Sequence, residues 1–210
     1  TKSKDKKTFL VSKNCHPQTI DVLKTRSEPL DILLVIQDDK EIVFDGTEFG
    51  MLLQYPHTDG NICDYTELIN EAKNKNIYTC LATDLLALSI LKTPGEMNAD
   101  AAIGNAQRFG VPLGYGGPHA AFFATTDKFK RKIPGRIIGV SNDNHGNRAL
   151  RMALQTREQH IRREKATSNI CTSQVLLAIM SSMYAVYNGP KKIKHIAQTV
   201  NKQCNQLAES

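Results

Sequence analysis

The chain has 210 residues and a net charge of +6, with 40% apolar and 23% charged residues. These totals fit one large folded domain or one and a half ordinary ones, and no run approaches the roughly 18 apolar residues of a membrane-spanning helix. The basic residues are dispersed, without the aromatic interleaving of a nucleic-acid-binding stripe, and five widely separated cysteines show neither C-x-x-C pairs nor metal-like spacing with the six histidines. Free thiols in a reducing compartment and no metal are therefore expected.

The start, Thr1 to Lys7, has no initiator Met, apolar signal core or amphipathic targeting pattern, and the helical-looking end stops without a cap. Both suggest a segment of a longer protein. Thr8–Val11 is a strand candidate, and Pro17 opens a helix running to about Arg26. Ile32–Ile36 and Gly50–Tyr55 are continuous apolar runs of strand length, expected to be buried on both faces. Pro56–Gly60 is a turn. Asp64, with Glu67 three residues on, forms a capping-box-like helix start whose apolar face is Leu68, Ile69 and Ala72.

Ile77–Leu81 reads as a strand, Thr83–Leu91 as a short helical piece, and Ala99–Gly104 as a small-residue strand. Between Gln107 and Pro118 lie four glycines and two prolines, incompatible with a helix or interior strand. Such permissive backbone beside a buried strand usually lets a chain or ligand approach the main chain closely. Ala120–Ala124, Arg136–Val140 and Ala149–Leu154 are further strands, with a short helix around 127–132. Recurrent strand–helix–strand order predicts an α/β layer fold with a mostly parallel sheet and one antiparallel member. From Thr172 the pattern is helical, with Val175, Leu176, Ala178, Ile179, Met183 and Val186 on one face. Gly189–Pro190 ends that helix and a second begins near Lys192.

The segment Thr156–Ser173 concentrates cations (Arg157, His160, Arg162, Arg163, Lys165) with Glu158 and Glu164, then Thr167, Ser168 and Asn169 just before the long helix. Hydroxyls and arginines beside a helix N-terminus suit an anion, although a capped helix start with surface ion pairs explains the same residues. No Ser-His-Asp order, H-E-x-x-H, P-loop lysine or G-x-G-x-x-G after a strand is present.

These motifs together resemble the glycine cleavage system P-protein family. The resemblance rests on Val11–Thr19, Ala82–Leu88, Pro94–Glu96, Gln107–Phe123, Pro134–Arg136 and Leu154–Thr172, and runs from about Ser12 to about Gly189. It implies a large domain of the aminotransferase type, pyridoxal-phosphate-dependent fold type I. It also implies glycine decarboxylation through a cofactor Schiff base, with transfer of the aminomethyl group to the lipoyl arm of H-protein. The chain resembles the N-terminal half of the family, not the catalytic half. Laid on the catalytic half, Phe109, Pro112, Gly114, Gly116, Gly117 and Pro118 keep register, and the Schiff-base lysine falls on Gln107, which cannot form an imine. The pyridinium-pairing aspartate falls near Ala82, with Asp84 close by.

The resemblance thus implies no catalytic residue in this chain, a degenerate cofactor pocket, and pyridoxal 5'-phosphate bound by the catalytic half. Thr167, Ser168 and Asn169 are candidates to approach the phosphate or substrate entrance of that half. Arg157, His160 and Arg163 either line the entrance for the H-protein arm or form interface ion pairs. Residues 1–189 would belong to the pseudo-catalytic large domain and 190–210 to a helix leading toward the small domain. Expected partners are the catalytic half, H-protein, glycine and a second copy in a homodimer (a two-subunit heterotetramer in some bacteria), with no nucleic acid or membrane. Localisation would be the mitochondrial matrix in a eukaryote, which the Lys/Asn-rich composition favours, or the cytoplasm in a bacterium. The alternatives are a stand-alone pyridoxal-phosphate enzyme and a non-catalytic interaction module of the same fold.

Overall fold

The computed structural model describes residues 6–133, 136–155, 163–166 and 172–210. It divides into two units, residues 1–124 with 175–210, and residues 125–174. No helix among the described residues is long and apolar enough to cross a membrane.

The first unit is a six-stranded sheet in the order β2-β1-β3-β4-β5-β6. Its strands are β1 (Thr8–Ser12), β2 (Leu33–Gln37), β3 (Glu48–Tyr55), β4 (Tyr78–Asp84), β5 (Ala101–Asn105) and β6 (Ala121–Thr125). The pairings β1–β2, β1–β3, β3–β4 and β4–β5 are all parallel. This is the doubly wound arrangement that the strand–helix–strand pattern predicts. Because the chain steps from β1 to β2 on one side and then to β3 on the other, the sheet has its switch point between β1 and β3. Parallel sheets of this kind bind ligands in the crevice beyond the carboxyl ends of such strands.

Burial follows the pleat. Strand β3 is buried along almost its whole length, as its unbroken apolar run requires. On one face, Leu10, Met51, Leu53, Tyr55 and Leu81 pack with Tyr65, Ile69 and Ala72 of and beside helix α2 (Thr66–Asn74). On the other, Val11, Leu52, Cys80, Ala82 and Ile103 meet Cys15, Ile20 and Leu23 of and beside helix α1 (Pro17–Ser27). The run Ile32–Ile36 departs from expectation: β2 is an edge strand with Leu33 60% and Ile36 41% exposed. An apolar run reports what a strand buries in the finished assembly, and among the described residues of this unit nothing lies outside β2 to cover it.

Two helix starts also differ from the local reading. Asp64 accepts the Thr66 N–H at 2.9 Å and the Thr66 hydroxyl, and pairs with Lys92 at 3.0 Å. It therefore caps α2 from one position further out than a capping box. Those contacts, the Thr66 hydroxyl first, hold its carboxyl down to about 2. Beyond Asp84, where a helical piece was expected, β4 ends and only a 3₁₀ turn, Ala87–Ser89, forms. Helix α3 (Val175–Ala208) is interrupted at Gly189, whose φ of 67° and ψ of 169° break the ladder just before Pro190, as the Gly-Pro pair predicts. Its second part buries Ile193 and Ala197 against Leu86 and Phe109.

The glycine-rich loop makes the close approach expected of it, and against its own chain. Gly110 has φ +80°, and a Cβ there would lie 2.7 Å from the ring of Tyr184 in α3. Phe109 stacks on the same ring at 5.8 Å.

In the second unit, β7 (Arg136–Asn142) and β8 (Arg148–Gln155) pair antiparallel in a separate two-stranded sheet. Asp143 organises the turn: its carboxylate accepts the N–H groups of His145 and Asn147, both at 2.8 Å. The antiparallel member that closely spaced late strands imply is thus a hairpin of its own.

Candidate functional site

Two polar regions lie beyond the carboxyl ends of the parallel strands. The first fills the switch-point crevice between β1 and β3. His57, directly after the β3 exit, places Nε2 2.6 Å from the hydroxyl oxygen of Tyr65 and 3.1 Å from Asp39 Oδ2. The Tyr65 hydroxyl donates to the same Asp39 oxygen, and Asn14 Nδ2 donates to it at 3.0 Å. His57 and Asp39 have side chains only 7% exposed. Burial first, and then the neighbouring carboxylate, push the Tyr65 hydroxyl far above its ordinary range. Cys15 lies beside the cluster, and burial and the Asp39 charge push its thiol up to about 12. Around the rim, Thr58 bonds the Asn14 carbonyl through both its N–H and its hydroxyl, and His16 Nδ1 lies 2.9 Å from that hydroxyl. The crevice is occupied by the protein's own side chains, and its residues face inward.

The second region is an open cleft of about 510 Å³ over the ends of β3, β4 and β5. Its lining includes His16 and Thr19 at the start of α1, Gln54, Asp84, Asn105 and Phe122. Strand register explains the set. Gln54 pairs with Ala82, and Ala82 with Ile103; Asp84 pairs with Asn105. Alternation puts these side chains on the face that α1 covers. Gly104 permits the arrangement, because a Cβ there would fall 2.0 Å from the Thr83 carbonyl oxygen and 2.6 Å from the Phe122 ring.

The residues do not fit covalent attachment of pyridoxal phosphate. Gln107 stands just past β5, with its N–H donating to Asn105 Oδ1 at 2.7 Å and its carbonyl accepting from Val111 at 3.0 Å. Its Nε2 is buried without a partner. An amide in this place offers no amine for an imine. The nearby carboxylate is also committed: Arg108 clamps Asp84 through Nε at 3.1 Å to both oxygens and Nη2 at 2.6 Å, and Asp84 accepts the Ala87 N–H at 2.8 Å. A clamped carboxylate is neutralised for a pyridinium.

Thr167, Ser168, Asn169, Arg157 and His160 lie outside the described residues. Arg163 is exposed in a 3₁₀ turn, Arg163–Lys165. Among the described residues no group of three or more His, Cys, Asp or Glu could hold a metal ion. Sequence reasoning passed over Asp39, His57 and Tyr65, which lie in three separate loops and helix starts. It passed over Gln54 too, although a lone amide closing the apolar run Gly50–Leu53 at a strand's carboxyl end was a readable signal.

Comparison with known proteins places this geometry. A family model described as "Glycine cleavage system P-protein" matches residues 1–210. The chain is 60% identical over 209 residues to "Glycine dehydrogenase (decarboxylating), mitochondrial" of Dictyostelium discoideum, covering 100% of this chain and 21% of that protein. It is 59% identical to "Glycine dehydrogenase (decarboxylating) 1, mitochondrial" of Arabidopsis thaliana (93% of this chain, 19% of that one) and 57% identical to "Glycine dehydrogenase (decarboxylating)" of Nostoc punctiforme (95% and 20%). It spans about a fifth of the length of these curated relatives. Among solved structures, the inhibitor-bound glycine decarboxylase P-protein superposes with a TM-score of 0.81 at 33% identity, over 90% of this chain and 45% of that one. Cystathionine gamma-lyase of Lactobacillus plantarum, at 14% identity, shares the fold with a TM-score of 0.50 over 60% of this chain and 34% of its own. The fold is therefore the α/β, aminotransferase-like large domain of pyridoxal-phosphate fold type I. The chain belongs to the glycine cleavage system P-protein family.

Proposed function

We propose that this chain is part of the N-terminal, pseudo-catalytic half of a glycine decarboxylase and serves assembly and completion of an active site built elsewhere. The whole enzyme decarboxylates glycine through pyridoxal 5'-phosphate and passes the aminomethyl group to the lipoyl arm of H-protein. The cofactor supplies the electron sink, and it is held by the catalytic half. The observation that carries the reading is Gln107, an amide where an imine-forming lysine is needed, in a chain whose relatives are named glycine dehydrogenase. The clamped Asp84 supports it independently. Under this reading the isolated chain is inactive.

A role in assembly is supported by α3. From Val175 to Asn188 the helix has no charged residue, yet Leu176, Ile179, Met183 and Val186 are each more than half exposed. Their 3-4-3 spacing is that of a helix–helix seam, and a helix apolar on its outer face is buried in the finished protein. The face accordingly docks on the catalytic half or on a second copy in the dimer. Thr167, Ser168 and Asn169 approach the cofactor phosphate or the substrate entrance of the catalytic half. The eukaryotic relatives are named mitochondrial, which favours that organelle for this chain.

The test is borohydride trapping after cofactor titration of the 210-residue chain and of the full-length protein, with mass mapping of the labelled lysine. Label confined to a lysine outside this chain is the expected result. Label on a lysine within it overturns the reading in favour of a stand-alone enzyme. For the phosphate-facing residues, Ser168→Ala and Asn169→Ala in the full-length protein should weaken cofactor affinity or raise the glycine KM; unchanged values would remove that role.

A further inference from the structure

The glycine-rich loop between β5 and β6 carries a tip that its own chain does not use. The neck of the loop is closed, because the Ala106 N–H donates to the Ala120 carbonyl at 2.8 Å and both residues are buried. Its base is fixed as well. Val111 is buried and bonds the Gln107 carbonyl at 3.0 Å, and Phe109 lies against the Tyr184 ring. Further out the burial reverses: Leu113 is 74% exposed and Tyr115 wholly so. A fixed base thus holds two large apolar side chains out in water.

The backbone of the tip is a left-handed turn. Gly114, Tyr115 and Gly116 have φ values of 53°, 53° and 86°, and the Leu113 carbonyl accepts from the N–H groups of Gly116 and Gly117 at 3.1 and 3.2 Å. Glycine forms such a turn freely, whereas a side chain there crowds the following carbonyl. Four other described residues besides glycine have positive φ. Asp31, Asn76 and Asn98 are of types that tolerate it, and Arg163 keeps a solvated cation in its 3₁₀ turn. Tyr115 is the one that exposes an apolar ring. A glycine at 115 would make the same turn without strain, as at 114 and 116. The tyrosine adds backbone strain and a hydrated ring, and nothing in this chain offsets either.

We propose that Tyr115, flanked by Leu113, is an interface anchor that inserts into an apolar pocket on the catalytic half of the enzyme, where its hydroxyl donates to an acceptor. Burial of the ring offsets the strain, and a stiff aromatic on a fixed loop loses little freedom on docking. The occupant is sought outside this chain because only 21% of a 60%-identical relative falls within it. The tip also lies on the loop leaving the carboxyl end of β5, the side on which this fold builds its sites. The inference rests on the reading of this chain as the non-catalytic half.

The experiment places the photo-cross-linker p-benzoylphenylalanine at position 115 of the full-length protein and maps the products by mass spectrometry. The main cross-link is expected on a peptide outside these 210 residues. Cross-links confined to peptides within them, whether of the same or a second copy, overturn the proposal, and so does the absence of any. In the full-length protein, Tyr115→Gly should speed hydrogen exchange of the 113–117 amides at least about tenfold after correction for intrinsic rates, and Tyr115→Phe less than about threefold. Unchanged exchange in Tyr115→Gly overturns the anchor. In the 210-residue chain, Tyr115→Gly should hold or raise the urea midpoint; a fall would mean that the ring is packed at home, and the proposal fails. The cross-link is mapped without reference to the cofactor. A trapped lysine inside this chain would therefore sink the parent reading by itself, distinguishably from a failure of the anchor.

Discussion

The two polar regions above the sheet share a location and differ in what completes them. Around Asp39, His57 and Tyr65, side chains from four segments fill the crevice and converge on one Asp39 oxygen, Oδ2, while its Oδ1 is buried without a hydrogen-bond partner. Around Gln54, the strand ends line an open cleft of about 510 Å³. The same sheet geometry therefore yields a structural plug at its switch point and an open cleft one strand over.

The sharpest way to break the comparison is to fill the cleft's foundation. Gly104→Ala would drive a Cβ to 2.0 Å from the Thr83 carbonyl, a backbone atom that cannot swing away. Overpacking of this kind costs about 1–3 kcal/mol and here more, because the clash is with main chain. A urea unfolding curve should show a loss above about 3 kcal/mol; a loss under 1 would mean that β4 and β5 slide freely.

Next come the plug residues. Asp39→Ala removes the acceptor that Tyr65 and Asn14 share, leaves the Tyr65 hydroxyl only the Gln54 carbonyl at 3.3 Å, and should cost about 1–3 kcal/mol. By contrast, Gln54→Met removes an already unpartnered oxygen and should change stability by less than about 0.5 kcal/mol or raise it slightly. Equal losses at the two sites would erase the distinction between plug and cleft.

Alkaline pH probes the core beneath α1 through its two thiols. Cys15 and Cys80 have folded-state values pushed up to about 12 by burial, against 9.0 unperturbed. A raised folded value means that stability is intact below pH 9 and is lost as pH climbs toward 12, because only the unfolded chain releases those protons. Each thiol contributes a slope of up to about 1.4 kcal/mol per pH unit in that window. Urea midpoints measured from pH 8 to 11 should fall from about pH 9, and less steeply in Cys80→Ala.

The smallest effect is kinetic. At pH 8, iodoacetamide should modify exposed Cys204 in the native chain, while buried Cys15 reacts at least about a hundredfold more slowly. Comparable rates, read by peptide mass mapping, would show that the plug opens readily.

The sequence by itself determined the alternation of elements, because apolar runs, Pro17 and Gly189–Pro190 act through local backbone rules. It also determined the family, through long motifs, and that the side chain at position 107 is an amide, since a side chain's chemistry is legible without coordinates. Only tertiary structure decided that β2 lies at an edge with Leu33 exposed, that Arg108 clamps Asp84, and that Asp39 meets His57 and Tyr65. Those contacts join residues from 8 to 26 positions apart. Strand order and register place them, and no spacing rule along the chain encodes a parallel sheet's neighbours.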